Sequence, residues 1–218
     1  MFITLSRQYA AGGSEIARMV AEDLGWTVVD NAFVDQVSQR SGFDAGDVAE
    51  LEERVPGFLE RLARSSALSL PEQLLSAPEL IEDPAELKLA RITQELVSEL
   101  GRRDRMVMVG RAAAAVLARE QGALHVRLVA PEATRLQSAV ERLHVPAKEA
   151  PALLAETDRN RARYHQEYYG RDWNDPANYH IVLNTGLLGY RGSANLILAR
   201  AHALGWAPAG PGADSPRA

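Results

Sequence analysis

Short apolar runs alternate with stretches of helical period along this 218-residue chain. Met1-Phe2-Ile3-Thr4-Leu5 reads as a buried strand, and Ile16, Met19, Val20 and Leu24 then recur at helical spacing until Gly25 stops them. Trp26-Thr27-Val28-Val29 is a second short strand ending at Asp30-Asn31. The pattern next predicts a helix over 32–41, with Phe33, Val34 and Val37 on one face and Gly42 closing it. A charged amphipathic region over 44–64 follows, opened by Asp44 and Asp47 and bent near Pro56-Gly57. Three prolines (Pro71, Pro78, Pro84) make 65–84 an ordered loop, and Leu89, Ile92, Leu96 and Leu100 stripe a helix over 86–100 that Gly101 ends.

The second half repeats the alternation. Arg105-Met106-Val107-Met108-Val109 is the third strand, ending at Gly110-Arg111, with a small-residue helix over 112–119 after it. Leu124-His125-Val126-Arg127-Leu128-Val129 is the fourth strand, followed by a helix over 132–143 with Leu136, Val140 and Leu143 inward. The helical pattern over 148–169 is different in character: Asp158, Arg159, Arg161 and Arg163 cluster beside Tyr164, Tyr168 and Tyr169. After an Asp-, Asn- and Pro-containing loop over 170–179, His180-Ile181-Val182-Leu183 is the fifth strand, ending at Asn184-Thr185. A last helix over 191–204 stops at Gly205, and the tail over 207–218, rich in Pro and Gly, is expected to be disordered. Strands alternating with helices predict an α/β fold: a five-stranded parallel sheet with helices on both faces. Ligands of such sheets bind beyond the carboxyl ends of the strands, and Ser6-Arg7, Asp30-Asn31, Gly110-Arg111 and Asn184-Thr185 gather there.

Charge and composition narrow the chemistry. A net charge of −5 offers nothing global to nucleic acid or to an anionic membrane, so any anion site is built locally. No apolar run reaches the length of a membrane span, and no secretory signal precedes the first strand. Cysteine is absent, which excludes disulfides and thiolate metal sites; the default expectation is a cytoplasmic protein. The local candidate lies between the first strand and helix, where Ala10-Ala11-Gly12-Gly13-Ser14 leaves backbone N–H groups at a positive helix end. Against the phosphate-loop pattern G-x-x-x-x-G-K-[ST], Arg7 stands at the first glycine, Gly12 at the second, Gly13 at the lysine and Ser14 at the magnesium-ligand hydroxyl.

With these residues in view, the chain resembles the cytidylate-kinase-like family of the P-loop nucleoside monophosphate kinases over nearly its whole length. The resemblance is carried by Ser6-Arg7-Gln8-Tyr9 with Gly12-Gly13-Ser14-Glu15-Ile16-Ala17, by Gly110-Arg111, and by the fourth strand with Ala130-Pro131. Its most specific part is Thr157-Asp158-Arg159-Asn160-Arg161-Ala162-Arg163-Tyr164, followed by Asp172-Trp173-Asn174-Asp175-Pro176 and Val182-Leu183-Asn184-Thr185. It implies a P-loop-kinase core over 1–31, 104–143 and 180–206, a helical monophosphate-binding insertion over about 32–103, and an arginine-bearing lid over about 144–179. The implied reaction moves the γ-phosphoryl of ATP, with Mg2+, to CMP or a related monophosphate. Arg7, Ala11, Gly12, Gly13, Ser14 and Glu15 would surround the ATP phosphates, Ser14 would reach the metal, and Arg111 and Asp30 would hold the acceptor. Arg159, Arg161 and Arg163 would close over the transferring group. In the family a lysine follows the loop's second glycine and an Asp follows the Gly-Arg pair; here Gly13 and Ala112 stand there.

Each role has a plainer competitor. Ser14 can be a helix N-cap, Glu15 a helix-dipole partner, His125 a sheet residue, and the tyrosines lid packing. The lid arginines, spaced by two, cannot all share one helix face. Besides the kinase, two other readings stand: a catalytically weak nucleotide sensor, which the missing lysine favours, and a kinase of another small metabolite. The expected partners are small nucleotides, with no nucleic acid and no membrane, and a homodimer stays open.

Overall fold

The computed structural model describes residues 1–29, 37–40, 42 and 85–206. Five parallel strands pair in the order β2-β3-β1-β4-β5. They are β1 (Phe2–Arg7), β2 (Thr27–Val29), β3 (Met106–Val109), β4 (Ala123–Val129) and β5 (Ile181–Asn184). Between and after them run α1 (Gly13–Leu24), α2 (Ala85–Gly101), α3 (Ala113–Val116), α4 (Glu132–Glu141), α5 (Ala150–Tyr169) and α6 (Thr185–Ala203), with a 3-10 turn at Pro176–Asn178 before β5.

The apolar run of β1 is explained by its place at the centre of the sheet, covered on both faces. Alternate residues Ile3 and Leu5 pack with Ile16, Val20 and Leu24 of α1 and Ala194, Ile197 and Ala201 of α6. Phe2 points the other way, into a second cluster with Leu89 and Leu96 of α2, Met106 and Met108 of β3, and Leu117. Gly25 ends α1 in the left-handed region at φ 65°, donating its backbone N–H to α1 carbonyls.

Three elements depart from expectation. The helix after β3 is only Ala113–Val116: Gly110, Arg111 and Ala112 all take positive φ (74°, 56° and 48°) and make a left-handed turn first, and the chain leaves helical geometry again at Leu117. In α4 the buried residues are Arg135, Ser138 and Ala139, while Val140 and Leu143 are 36% and 45% exposed. Polar contacts made by Arg135 and Ser138 set that face, so hydrophobic periodicity misjudges it. The last helix begins at Thr185 rather than 191, with the Asn184 carboxamide accepting the N–H groups of Gly186 and Leu187, and is broken at Gly189 (φ 67°, ψ 168°). Residues 37–40 are helical as expected, with Val37 buried. The remaining expectations for 30–36 and 43–84, and that for the 207–218 tail, lie outside the described residues.

Candidate functional site

The loop from Gln8 to Gly12 is held from three sides. The Gln8 N–H donates to the Leu128 carbonyl at 3.0 Å, and the Gln8 side chain accepts the Ala130 N–H at 3.0 Å. The Thr185 hydroxyl donates to the Ala11 carbonyl at 3.0 Å. From the side of α5, Asp158 accepts the Tyr9 N–H at 2.8 Å and pairs with the Arg135 guanidinium at 2.7 Å, both side chains being largely buried. The loop ends at Gly12, the N-cap of α1, which caps with no side chain and sits at φ 81°. A Cβ there would meet the Tyr190 ring at 2.4 Å, so both conformation and space require glycine. The first-turn N–H groups of α1 lack partners within the helix by geometry, and the loop lines a cavity of about 190 Å³ with Ser14, Glu15 and Tyr190.

Ser14 lies inside the first turn of α1, one residue past Gly13, so it is not the N-cap. Its side chain is exposed on the cavity wall, and Glu15 is half-buried there. Among the described residues no group of three or more acidic or imidazole side chains could hold a metal ion. A Ser14 hydroxyl beside a phosphate cradle nevertheless fits magnesium, which keeps several waters and is held mainly by substrate phosphates.

Arg7, the last residue of β1, has a side chain that needs two glycines. A Cβ on Gly13 would lie 2.9 Å from Arg7 Cγ, and one on Gly110 would lie 2.0 Å from Arg7 Nη1. The arginine stem therefore runs over the position where the phosphate-loop pattern has lysine, and its guanidinium reaches the end of β3. Beyond it opens a second cavity, of about 270 Å³, lined by Ser6, Arg7, Arg111, Arg161 and Thr93 among others. Arg111 reaches this wall from the left-handed turn after β3. Positive φ at two consecutive non-glycine residues is costly backbone, of a kind that collects at functional sites.

Of Arg159, Arg161 and Arg163, the structure brings Arg161 to the cleft. It lines both cavities and donates from Nη1 to the Arg7 carbonyl at 3.1 Å. Arg163 is half-buried and lines neither cavity; Arg159 is exposed and lines neither. Asp30 lies outside the described residues. Tyr164 packs with Tyr168 at 4.7 Å between ring centres, as lid packing would have it, and it also lines the larger cavity. Burial, with the neighbouring Tyr169, raises its phenol well above the ordinary value.

Sequence reasoning assigned no role to Arg127, Arg135 or Trp173. Arg127 is 2% exposed, and its partners among the described residues are uncharged. It donates to Asn174 Oδ1 at 2.7 Å and stacks 3.9 Å above the Trp173 ring, whose Nε1–H donates to the Ser6 hydroxyl at 2.9 Å. This knot docks the chain after α5 onto the paired positions Ser6 and Arg127. The signal was present in the sequence, as an arginine inside an otherwise apolar strand. His125 is a sheet residue as expected, bonded to Thr4 Oγ1 at 2.7 Å and stacked on His180 at 5.0 Å. Burial first, then the His180 charge, lowers its pKa to about 4. His165, on the wall of the larger cavity, is also lowered to about 4, by burial first and then by Arg127 and Arg171.

The model of the cytidylate kinase-like family matches residues 2–187. The chain belongs to the cytidylate kinase-like family. A cytidylate kinase of Aeropyrum pernix is 26% identical over 196 residues, covering 89% of this chain and 95% of the relative. Among solved structures, an uncharacterized protein from Eubacterium ventriosum superposes with a TM-score of 0.66 at 16% identity, over 93% of this chain and 98% of that one. A shikimate kinase from Bacteroides thetaiotaomicron gives 0.51 at 13% identity, over 94% and 97%. One from Acinetobacter baumannii, in complex with shikimate, gives 0.50 at 16% identity, over 93% of each. These likenesses agree with the sheet order in showing an α/β P-loop kinase fold. Within this cytidylate kinase-like chain, the site just described occupies the carboxyl ends of β1 and β3 and the face of α5 turned to them.

Proposed function

We propose that the protein is an ATP-dependent phosphotransferase acting on CMP or a related nucleoside monophosphate. The supporting observation is that Arg7 and Arg161 line both cavities, and therefore stand between the phosphate loop and the Arg111 wall. A phosphoryl group passing from donor to acceptor crosses that boundary. The backbone N–H groups from Ala11 to Ser14, with Glu15 beside them, would surround the donor phosphates, and Arg111 would hold the acceptor phosphate. Asp30 would touch the acceptor's sugar or base. Magnesium would supply charge neutralisation at the donor phosphates, and the Ser14 hydroxyl would help to hold it. Arg7 would take over the charge of the missing loop lysine, and Arg161, with Arg159 and Arg163 on lid movement, would stabilise the transferring group.

Gly13 at the lysine position favours a second reading, a nucleotide sensor with little turnover. One experiment separates the two: a thermal-shift panel of nucleotides with magnesium, then a coupled phosphotransfer assay on the nucleotides that bind. The kinase reading expects ATP to raise the melting temperature, as any ligand of the native state does, and expects turnover with CMP or a relative. It expects Arg161→Ala to lower turnover at least about a hundredfold, given that a delivered arginine is worth about 10³–10⁵ in related phosphoryl transfers. Binding without turnover on any monophosphate would establish the sensor, and absence of nucleotide binding would end both readings.

A further inference from the structure

The larger cavity has a charged part and an uncharged part. Arg7, Arg111 and Arg161 supply the charge, and Ser6, Thr93, Tyr164, His165 and Trp173 supply the rest. One of the uncharged groups, the Thr93 hydroxyl, is out of place as mere packing, and the His165 ring shares the cavity wall with its nitrogens unbonded. His165 is 8% exposed, and among the described residues its ring contacts are with Tyr169 and Trp173, at 6.2 and 6.3 Å between centres, with no hydrogen bond to either nitrogen. Thr93, on α2, is 1% exposed, and its hydroxyl is buried without a hydrogen-bond partner. Buried polar groups are nearly always partnered, because an unpartnered one has given up its water without a replacement. Such a hydroxyl from α2 and an imidazole with unbonded nitrogens from α5, on the walls of one cavity, mark a place that a polar ligand completes.

We infer that His165 and Thr93 read the uncharged, hydrogen-bonding head of the acceptor, whose phosphate lies on the arginines. Arg161 and His165 are four residues apart on α5, so they share a face and are separated by about 6 Å along the helix. One turn of helix thus presents a cation for the phosphate and then an imidazole for what the phosphate is attached to. A neutral imidazole offers one donor and one acceptor and adds no charge. The preferred acceptor class is therefore a phosphomonoester whose other end carries hydroxyl or amide groups, as a sugar or nucleoside monophosphate does, and not a second anion. This inference rests on the phosphotransferase reading above and adds the residues that select its acceptor.

The test uses three variants of the full chain. His165→Phe keeps a ring and removes both nitrogens, His165→Gln keeps a donor and an acceptor, and Thr93→Val removes the hydroxyl. The KM for CMP and the inhibition constant of methyl phosphate, which has the phosphate without the head, are measured in each. His165→Phe and Thr93→Val should each raise the CMP KM by about threefold to tenfold, the weight of one neutral hydrogen bond. The methyl phosphate constant, the ATP KM and kcat should change less than about twofold, and His165→Gln should recover most of the CMP affinity. Thr93→Val should melt no lower than wild type, since its hydroxyl has no partner to lose; a structural role would lower it. It therefore decides the matter even if His165→Phe fails to fold. If the CMP and methyl phosphate constants move together, or neither moves while the wild type turns over, the inference is overturned and the phosphotransferase reading survives. If the wild type neither binds nor phosphorylates any monophosphate, both are overturned.

Discussion

Arg7 and Gly13 form one unit, since the stem of the arginine lies where a side chain at position 13 would begin. The consequence is a reciprocal pair of outcomes. Arg7→Ala should lower turnover by about a hundredfold, in the range that a positioned cation contributes to phosphoryl transfer. Gly13→Lys alone should not improve the enzyme but impair it, because its Cβ, 2.9 Å from Arg7 Cγ, displaces the arginine. In the Arg7→Ala background the same lysine has room, and it should recover at least about tenfold of the loss, a part of what one such cation supplies. Coupled phosphotransfer assays on the two single variants and the double variant check this. A Gly13→Lys protein faster than wild type would show that the two cations do not share one space.

Among the elements, the tie between α5 and the phosphate loop carries the clearest consequence. The Asp158 carboxylate accepts from the Tyr9 N–H and pairs with Arg135 of α4, so one side chain joins the loop, α5 and α4. Asp158→Ala removes both acceptors, so it breaks the pair and releases the loop backbone from α5. Removing one partner of a buried pair strands the other, at about 3–5 kcal/mol when burial is complete and less here, where 11% and 17% of the two side chains stay accessible. The variant should melt several degrees lower and bind ATP about tenfold more weakly, the scale of one charge-assisted hydrogen bond. Combining it with Arg135→Met should cost clearly less than the two losses added together. Additive losses in the double-mutant cycle would mean that the pair does not act as one group.

Across the whole molecule, two buried histidines make stability depend on pH. His125 and His165 have folded-state pKa values of about 4 against 6.5 for the free side chain, through burial and, respectively, the His180 and Arg127 charges. The unfolded chain takes up protons below pH 6.5 that the folded chain refuses until about pH 4. Their contribution is therefore complete above the unfolded value and is lost as pH falls through this window. Urea midpoints should drop between about pH 7 and pH 5, before most carboxylates titrate, and the drop should shrink in His165→Phe and His125→Gln. A midpoint constant over that interval would show that both rings charge in the folded state without cost.

The α/β class, the five strands and the position of the loop between β1 and α1 were legible in the chain because they depend on local pattern. A run such as Phe2 to Leu5 is continuous only where both faces of a strand are covered, and the stop at Gly25, made by its own backbone on α1 carbonyls, needs no distant partner. The candidate residues were legible to the same extent, since strand ends converge in any parallel sheet. Which of them meet was decided by packing over long sequence separations. That Arg161 and not Arg159 reaches the cleft depends on the rotation of α5, which buries Leu154, Thr157, Asn160 and His165 and bonds Asp158 to a residue 149 positions earlier. The inward face of α4 escaped the hydrophobic pattern because Arg135 and Ser138 are buried by their partners Asp158 and Tyr190, not by their own polarity. Period and composition report a residue's preference for water. Arg127 lies in the core against that preference, since Ser6, Asn174 and the ring of Trp173 meet there only in the folded chain.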